Sequence, residues 1–273
     1  MSVLRNGDTG EAVRRLQRQL VALGCVLAVD GWFGEATETA VRELQARFGL
    51  VVDGAAGPKT LAALETGKPQ PRLLGEADLI AAAETLGVPL ASVKAVNAVE
   101  SRGTGFLDDG RPVILFERHV MHRRLAAAGH DADALAARFP NLVNPKRGGY
   151  VGGAEEHMRV AAAMQIDRGC ALEAASWGLF QIMGFNHEAC GYTIVEDFAD
   201  DMRTSEGKQL EAFVQFVIAD PALHKALKAR KWADFARLYN GLAYRDNLYD
   251  VKLQRAYERF STSPAEVAAE VPA

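Results

Sequence analysis

The feature that most constrains this chain is a repeat near its start. Val29-Asp30-Gly31-Trp32-Phe33-Gly34 continues to Thr37 and Ala40; 23 residues later Val52-Asp53-Gly54-Ala55-Ala56-Gly57 continues to Thr60 and Ala63. Six residues coincide in register: Val, Asp, Gly, Gly, Thr and Ala. Each copy reads as a turn leading into a helix, because the glycines suit positive φ, the aspartate can brace the turn and helical periodicity follows. Ahead of the first copy, Val13, Leu16, Leu20 and Leu23 form an apolar stripe at helical spacing. The pattern predicts a small three-helix domain over residues 1–66, whose modest core gives it marginal stability by burial alone.

Residues 67–75 contain two prolines and two glycines and read as a linker. Residues 76–260 are mainly α in pattern, with one β-hairpin expected between Phe106 and Phe116 around the turn Asp108-Asp109-Gly110. Residues 261–273 lose periodicity and read as a disordered tail. The formal net charge is −4 over 273 residues, which excludes the basic footprint of a nucleic-acid binder. No run approaches the roughly 18 apolar residues of an integral membrane segment. The opening residues lack a charged-then-apolar signal region, so synthesis in a cytoplasm without a signal peptide is expected. The three cysteines, Cys25, Cys170 and Cys190, lack CxxC spacing and read as free thiols.

In the larger segment, a helix opening at Pro89 places Val93, Val96 and Glu100 on one face. Ser101-Arg102-Gly103 ends that helix. A carboxylate on an apolar face loses hydration, and at a helix C-terminus it also meets unsatisfied carbonyls. Both effects favour the neutral acid, which is what proton donation to a glycosidic oxygen near neutral pH requires. Two further segments stand out: Gly178-Leu179-Phe180-Gln181-Ile182, a glycine and an amide between apolar anchors, and Tyr239-Asn240-Gly241, a phenol and an amide at a helix end.

The first domain resembles the peptidoglycan-binding domain found at the ends of many wall hydrolases. The resemblance rests on Gly7-Asp8-Thr9-Gly10, Val13, Leu16-Gln17, Asp30-Gly31, Phe33-Gly34, Thr37, Ala40-Val41, Asp53-Gly54, Gly57-Pro58 and Thr60-Leu61. Trp32 is its best candidate for wall contact, with packing beneath the repeat as the other reading; Asp30 and Asp53 accompany it as wall-binding candidates. In the order Glu-Ser, Gly-Leu-Phe-Gln-Ile, Tyr-Asn, the second domain resembles the lysozyme-like superfamily of goose-type lysozymes and lytic transglycosylases. It looks closer still to the N-acetylmuramidase domain of modular phage endolysins, through Val99-Glu100-Ser101, Leu115-Phe116-Glu117-Arg118-His119, Ser176 to Gly184, Tyr239-Asn240-Gly241, Tyr244, Tyr249 and Lys252.

That resemblance implies an α+β lysozyme-like catalytic domain. Glu100 would be the general acid for the bond between N-acetylmuramic acid and N-acetylglucosamine. Gln181, with Gly178, Leu179 and Phe180, would line the sugar cleft. Tyr239 would approach the scissile region and help hold the acid, and Asn240 would support the loop. It further implies bacterial peptidoglycan as partner, a monomer, no cofactor, action in the periplasm and release through a holin-type pore. A second carboxylate is left unassigned: Asp108 and Asp109 read better as turn residues, and Glu117 is either that group, a substrate contact, or half of an ion pair with Arg118 or another base. His119 and His122 with Glu117 lack a third ligand, so no metal is expected. A lytic transglycosylase, a non-catalytic wall-binding or virion structural protein and a delivered antibacterial toxin are the competing readings.

Overall fold

The structure is a computed structural model that describes residues 3–101 and 103–262. Arg102 in the expected helix stop, and the expected tail beyond Thr262, lie outside the described residues. The chain forms two compact units, one ending at Ala81 and the other beginning at Ala82.

In the first unit, α1 (Glu11–Ala22), α2 (Glu35–Arg47) and α3 (Pro58–Thr66) enclose a core that includes Leu16, Leu20, Phe33, Val41, Leu44 and Leu64. The repeat has a physical cause. Gln17 Nε2 donates to Asp30 Oδ1 (2.8 Å), the Trp32 carbonyl (3.0 Å) and Thr37 Oγ1 (3.1 Å), while its Oε1 accepts the Gly31 N–H (2.8 Å). Gln45 repeats this clamp on Asp53 Oδ1 (2.7 Å), the Ala55 carbonyl (3.0 Å), Thr60 Oγ1 (3.1 Å) and the Gly54 N–H (3.0 Å). Each buried amide thus finds partners on both its oxygen and its nitrogen. The aspartates brace the turns as the sequence suggests, also accepting the N–H groups of Trp32 and Ala55.

Gly67 closes α3 in the left-handed conformation, and Leu73 packs on the first unit's core. Helix α4 (Glu76–Leu86) follows, with the Glu76 carboxylate accepting the Val52 N–H at 2.9 Å. The division between the compact units therefore falls inside α4.

The second unit continues with α5 (Leu90–Glu100), β1 (Ile114–Phe116), α6 (Arg118–Ala127), α7 (Ala132–Arg138), α8 (Glu155–Ala163) and α9 (Arg168–Glu173). Then come β2 (Ala175–Trp177), β3 (Ile182–Met183), α10 (Val195–Met202), α11 (Glu206–Ala219), α12 (Pro221–Lys228), α13 (Trp232–Asn240) and α14 (Tyr249–Ser261). Helix α5 packs on α14 through Ala91, Ala95, Ala256 and Phe260, and small side chains permit that close approach.

The sheet runs β1-β2-β3, antiparallel, with Leu115 opposite Ser176 and Ser176 opposite Met183. The expected hairpin is present only as a narrow link, a Phe106–Pro112 bridge with the Gly110 N–H donating to the Leu107 carbonyl at 2.9 Å. The strand partner of β1 is instead the remote β2. One face of the sheet, Ile114, Phe116, Trp177 and Ile182, is buried. The other face carries Leu115, Ser176 and Met183, in keeping with the alternation of side chains along strands. No single helix among the described residues is long and apolar enough to cross a membrane. Cys170 and Cys190 are buried free thiols, and Cys25 is a half-buried one.

Candidate active site

Glu100 is the last residue of α5; Val93 and Val96 on the same face are buried, and Ser101 turns into extended backbone. Asn240 ends α13, where Gly241 at φ 72° stops the helix, and Lys252 lies in the first turns of α14. Three helix ends thus converge on one carboxyl group. Asn240 Nδ2 donates to Glu100 Oε1 at 3.0 Å. Burial pushes the Glu100 carboxyl from the usual 4.5 up to about 7, against the opposing pull of the Asn240 hydrogen bond and the Lys252 charge. A carboxyl that keeps its proton to near neutrality has the form that proton donation requires.

Tyr239 does not hold the acid. Its hydroxyl donates to the Phe180 carbonyl at 3.3 Å, and its ring sits among Phe213, Phe216 and Phe235. Burial, and then the nearby Glu100 charge, push the phenol far up, so it stays protonated. The expected roles are exchanged: Asn240 grips the acid and Tyr239 grips the β2–β3 turn.

That turn is built differently from the sequence expectation. Gly178 has φ 69°, and a Cβ there would stand 2.4 Å from Gln209 Cδ. The close approach it permits is to this buried α11 side chain, whose Oε1 accepts the Leu179 N–H at 2.7 Å. Leu179 is fully buried, and Phe180 stacks on Phe213 with ring centres 4.5 Å apart. Both side chains anchor the turn from within. Gln181 adopts φ 52°, a costly conformation for a residue with a side chain. Its amide offsets that cost by donating to the carbonyls of Gly178 (2.8 Å) and Val113 (3.2 Å) and accepting from the Ser176 hydroxyl (2.9 Å).

A family model described as N-acetylmuramidase matches residues 89–261, from the cap of α5 to the end of α14. The chain belongs to the N-acetylmuramidase family. A second model, a putative peptidoglycan binding domain, matches residues 9–64. The crystal structure of Burkholderia AP3 phage endolysin is similar with a TM-score of 0.90 and 58% identity, over 96% of this chain and 100% of that one. Among curated proteins, the zinc D-Ala-D-Ala carboxypeptidase of Streptomyces albus G is 48% identical over 60 residues, 21% of this chain and 24% of that protein. The spore cortex-lytic enzyme of Bacillus cereus is 48% identical over 59 residues, 21% of this chain and 23% of its own length. The chain spans about a quarter of the length of these curated relatives.

Within the N-acetylmuramidase unit, Glu117 is a nearly buried carboxylate at the end of β1. It continues β1 in extended conformation, donating its N–H to the Ala174 carbonyl at 2.9 Å. It therefore shares the sheet face of Leu115 and Ser176 but lies about 13 Å along the strand from Val113, at roughly 3.3 Å per residue. Val113 is where Gln181 grips. Glu117 thus sits at the far end of this sheet face from the Gln181 contact. Its partners are the Tyr150 hydroxyl (2.8 Å), His119 Nδ1 (3.1 Å) and Arg147 Nη2 (3.9 Å). Arg118 turns away to main-chain carbonyls. His122 pairs with Asp133 at 2.9 Å. Among the described residues no group of three His, Cys, Asp or Glu could hold a metal ion.

In the first unit, Trp32 is 58% exposed with its ring lying over Gly34, so it does not pack beneath the repeat. The carboxylates of Asp30 and Asp53 are engaged by the glutamine clamps, which makes both braces of the turns. Sequence reading missed three supports and gave Lys252 no role at the acid. Lys252 faces the acid, Gln209 carries the turn, Glu206 accepts the Gly105 N–H at 2.7 Å, and Glu156 accepts the Phe116 N–H at 3.1 Å. The two glutamates are fully buried, yet each stands in the first turn of a helix, where an acid reads as an ordinary dipole partner.

Proposed function

We propose that this chain cleaves peptidoglycan between N-acetylmuramic acid and N-acetylglucosamine, with Glu100 giving its proton to the glycosidic oxygen. The supporting observation is a carboxyl held protonated to about pH 7 by burial, at the junction of three helix ends in an N-acetylmuramidase unit. Asn240 and Lys252 both favour the carboxylate, the form the acid becomes as it loses its proton. They thus act on charge that develops during the reaction, where binding energy raises the rate. Gln181, at the rim of the turn, lines the cleft. The first unit holds the enzyme to the wall, with the exposed indole of Trp32 covering sugar or peptide stem.

Similarity to a phage endolysin along nearly the whole chain supports a lytic role. In that role a monomer made in a host cytoplasm reaches the periplasm through a holin-type pore. Replacement of Glu100 by Gln is expected to lower wall lysis by at least about a hundredfold, the usual contribution of a general acid, while sedimentation with purified walls is unchanged. Lysis at the wild-type rate by that variant would remove the assignment.

One observation favours keeping a second outcome in the same site. Among the described residues, the groups that act most on Glu100 besides its burial are a neutral amide and a cation. A lone acid serves hydrolysis by a positioned water, or closure of the sugar's own 6-hydroxyl onto the anomeric carbon, the lytic transglycosylase reaction. Mass spectrometry of released muropeptides decides: reducing ends mark hydrolysis and 1,6-anhydro ends mark transglycosylation.

A further inference from the structure

The far end of the sheet face carries a built loop that the proposed chemistry does not use. Residues 144–153 hold four glycines at positive φ, Gly148, Gly149, Gly152 and Gly153, between +57° and +104°. Such a segment would be mobile by composition, but this one is tied at three places. Arg118 donates to the carbonyls of Lys146 (3.0 Å) and Arg147 (3.1 Å). The Tyr150 hydroxyl donates to Glu117, a carboxylate only 7% exposed. The N–H groups of Val151 (2.8 Å) and Gly152 (3.0 Å) donate to the fully buried Glu156, itself bonded to Arg159 at 2.8 Å.

Three anchors, two of them buried carboxylates, hold in place a loop that keeps an aromatic and two basic side chains at the surface. Tyr150 is 44% exposed, and the Arg147 side chain is 77% exposed and lies 3.9 Å from Glu117. Lys146 beside it is exposed as well. An aromatic face flanked by two cations, beside the sheet face that leads to Gln181, matches a sugar bearing a carboxylate.

We propose that the 144–153 loop is a distal glycan subsite. In it Tyr150 receives a sugar face and Arg147 pairs with the lactyl or stem-peptide carboxylate of a muramic acid residue away from the cleaved bond; the occupant rests on the peptidoglycan substrate proposed above. Glu117 is a positioning residue in this arrangement. It orients Tyr150 and takes no part in bond cleavage.

The test uses the full chain with soluble, uncross-linked glycan fragments from purified walls, either native or with their carboxylates converted to amides by carbodiimide and ammonia. For the wild type, amidation is expected to raise KM about three- to fivefold, the range of an exposed ion pair, with kcat unchanged. Arg147→Ala should show the raised KM on native glycan and no further rise on amidated glycan, and its defect should fade in high salt. Tyr150→Phe keeps the ring but frees the loop from Glu117, and should raise KM at constant kcat in a protein whose melting is cooperative. An Arg147→Ala enzyme with wild-type KM and full discrimination between the two glycans would overturn the subsite. If the wild type released no glycan ends from either substrate, the muramidase reading itself would fall and the subsite with it.

Discussion

At the scale of single residues, Glu100 ties acid chemistry to stability. With its carboxyl at about 7, the proton-donating form is lost as pH rises through neutrality, so activity should decline over that range. Asn240 and Lys252 both lower this value; Asn240→Ala and Lys252→Ala should therefore each move the descending limb of the pH–rate profile to higher pH. The linked stability has a definite sign. Unfolded, the carboxyl ionises near 4.5, whereas folded it keeps its proton to about 7. The native state thus binds more protons in that window, and stability falls as pH rises across it. Glu100→Gln removes the dependence. Urea unfolding at pH 4 and pH 8 should show the variant gaining on the wild type by at most about 3 kcal/mol at the higher pH. Glu100 itself was legible because Val93, Val96 and the acid share one helical face. Its partner was not, since Asn240 stands 140 residues away and a helix-ending amide reads as a cap.

At the scale of elements, the mainly helical character was readable from periodicity, and the first domain from its repeat. The sheet was not. Strand β2 is three residues long, its partner β1 precedes it by about sixty residues, and a local hairpin signal at Asp108-Asp109-Gly110 competed for the same segment. The β2–β3 turn shows that a glycine singled out for a ligand has a packing task the sequence did not reveal: Gly178 makes room for Gln209. Gly178→Ala combines a Cβ at 2.4 Å from that side chain with a left-handed φ, and should destabilise the second unit by about 2–3 kcal/mol in urea unfolding. Likewise, Gln45→Leu leaves the Gly54 N–H without its acceptor. It should cost the first unit roughly 3 kcal/mol, read as a lower thermal midpoint.

At the scale of the whole molecule, the two family matches, over residues 9–64 and 89–261, leave α4 between them. A fragment begun at residue 67 keeps that helix whole. It is expected to remain folded and to cleave soluble glycan while losing sedimentation with intact walls; an insoluble fragment would argue that the units are not separable there. Sulfur chemistry follows from burial as well. The thiols of Cys170 and Cys190 are pushed up to about 12, so only about one in 10⁵ of either is thiolate at pH 7. Oxidants and alkylating reagents need that thiolate. Passage from a reducing to an oxidising medium should leave both side chains chemically unchanged, and a maleimide dye applied to the folded chain would report from Cys25 alone.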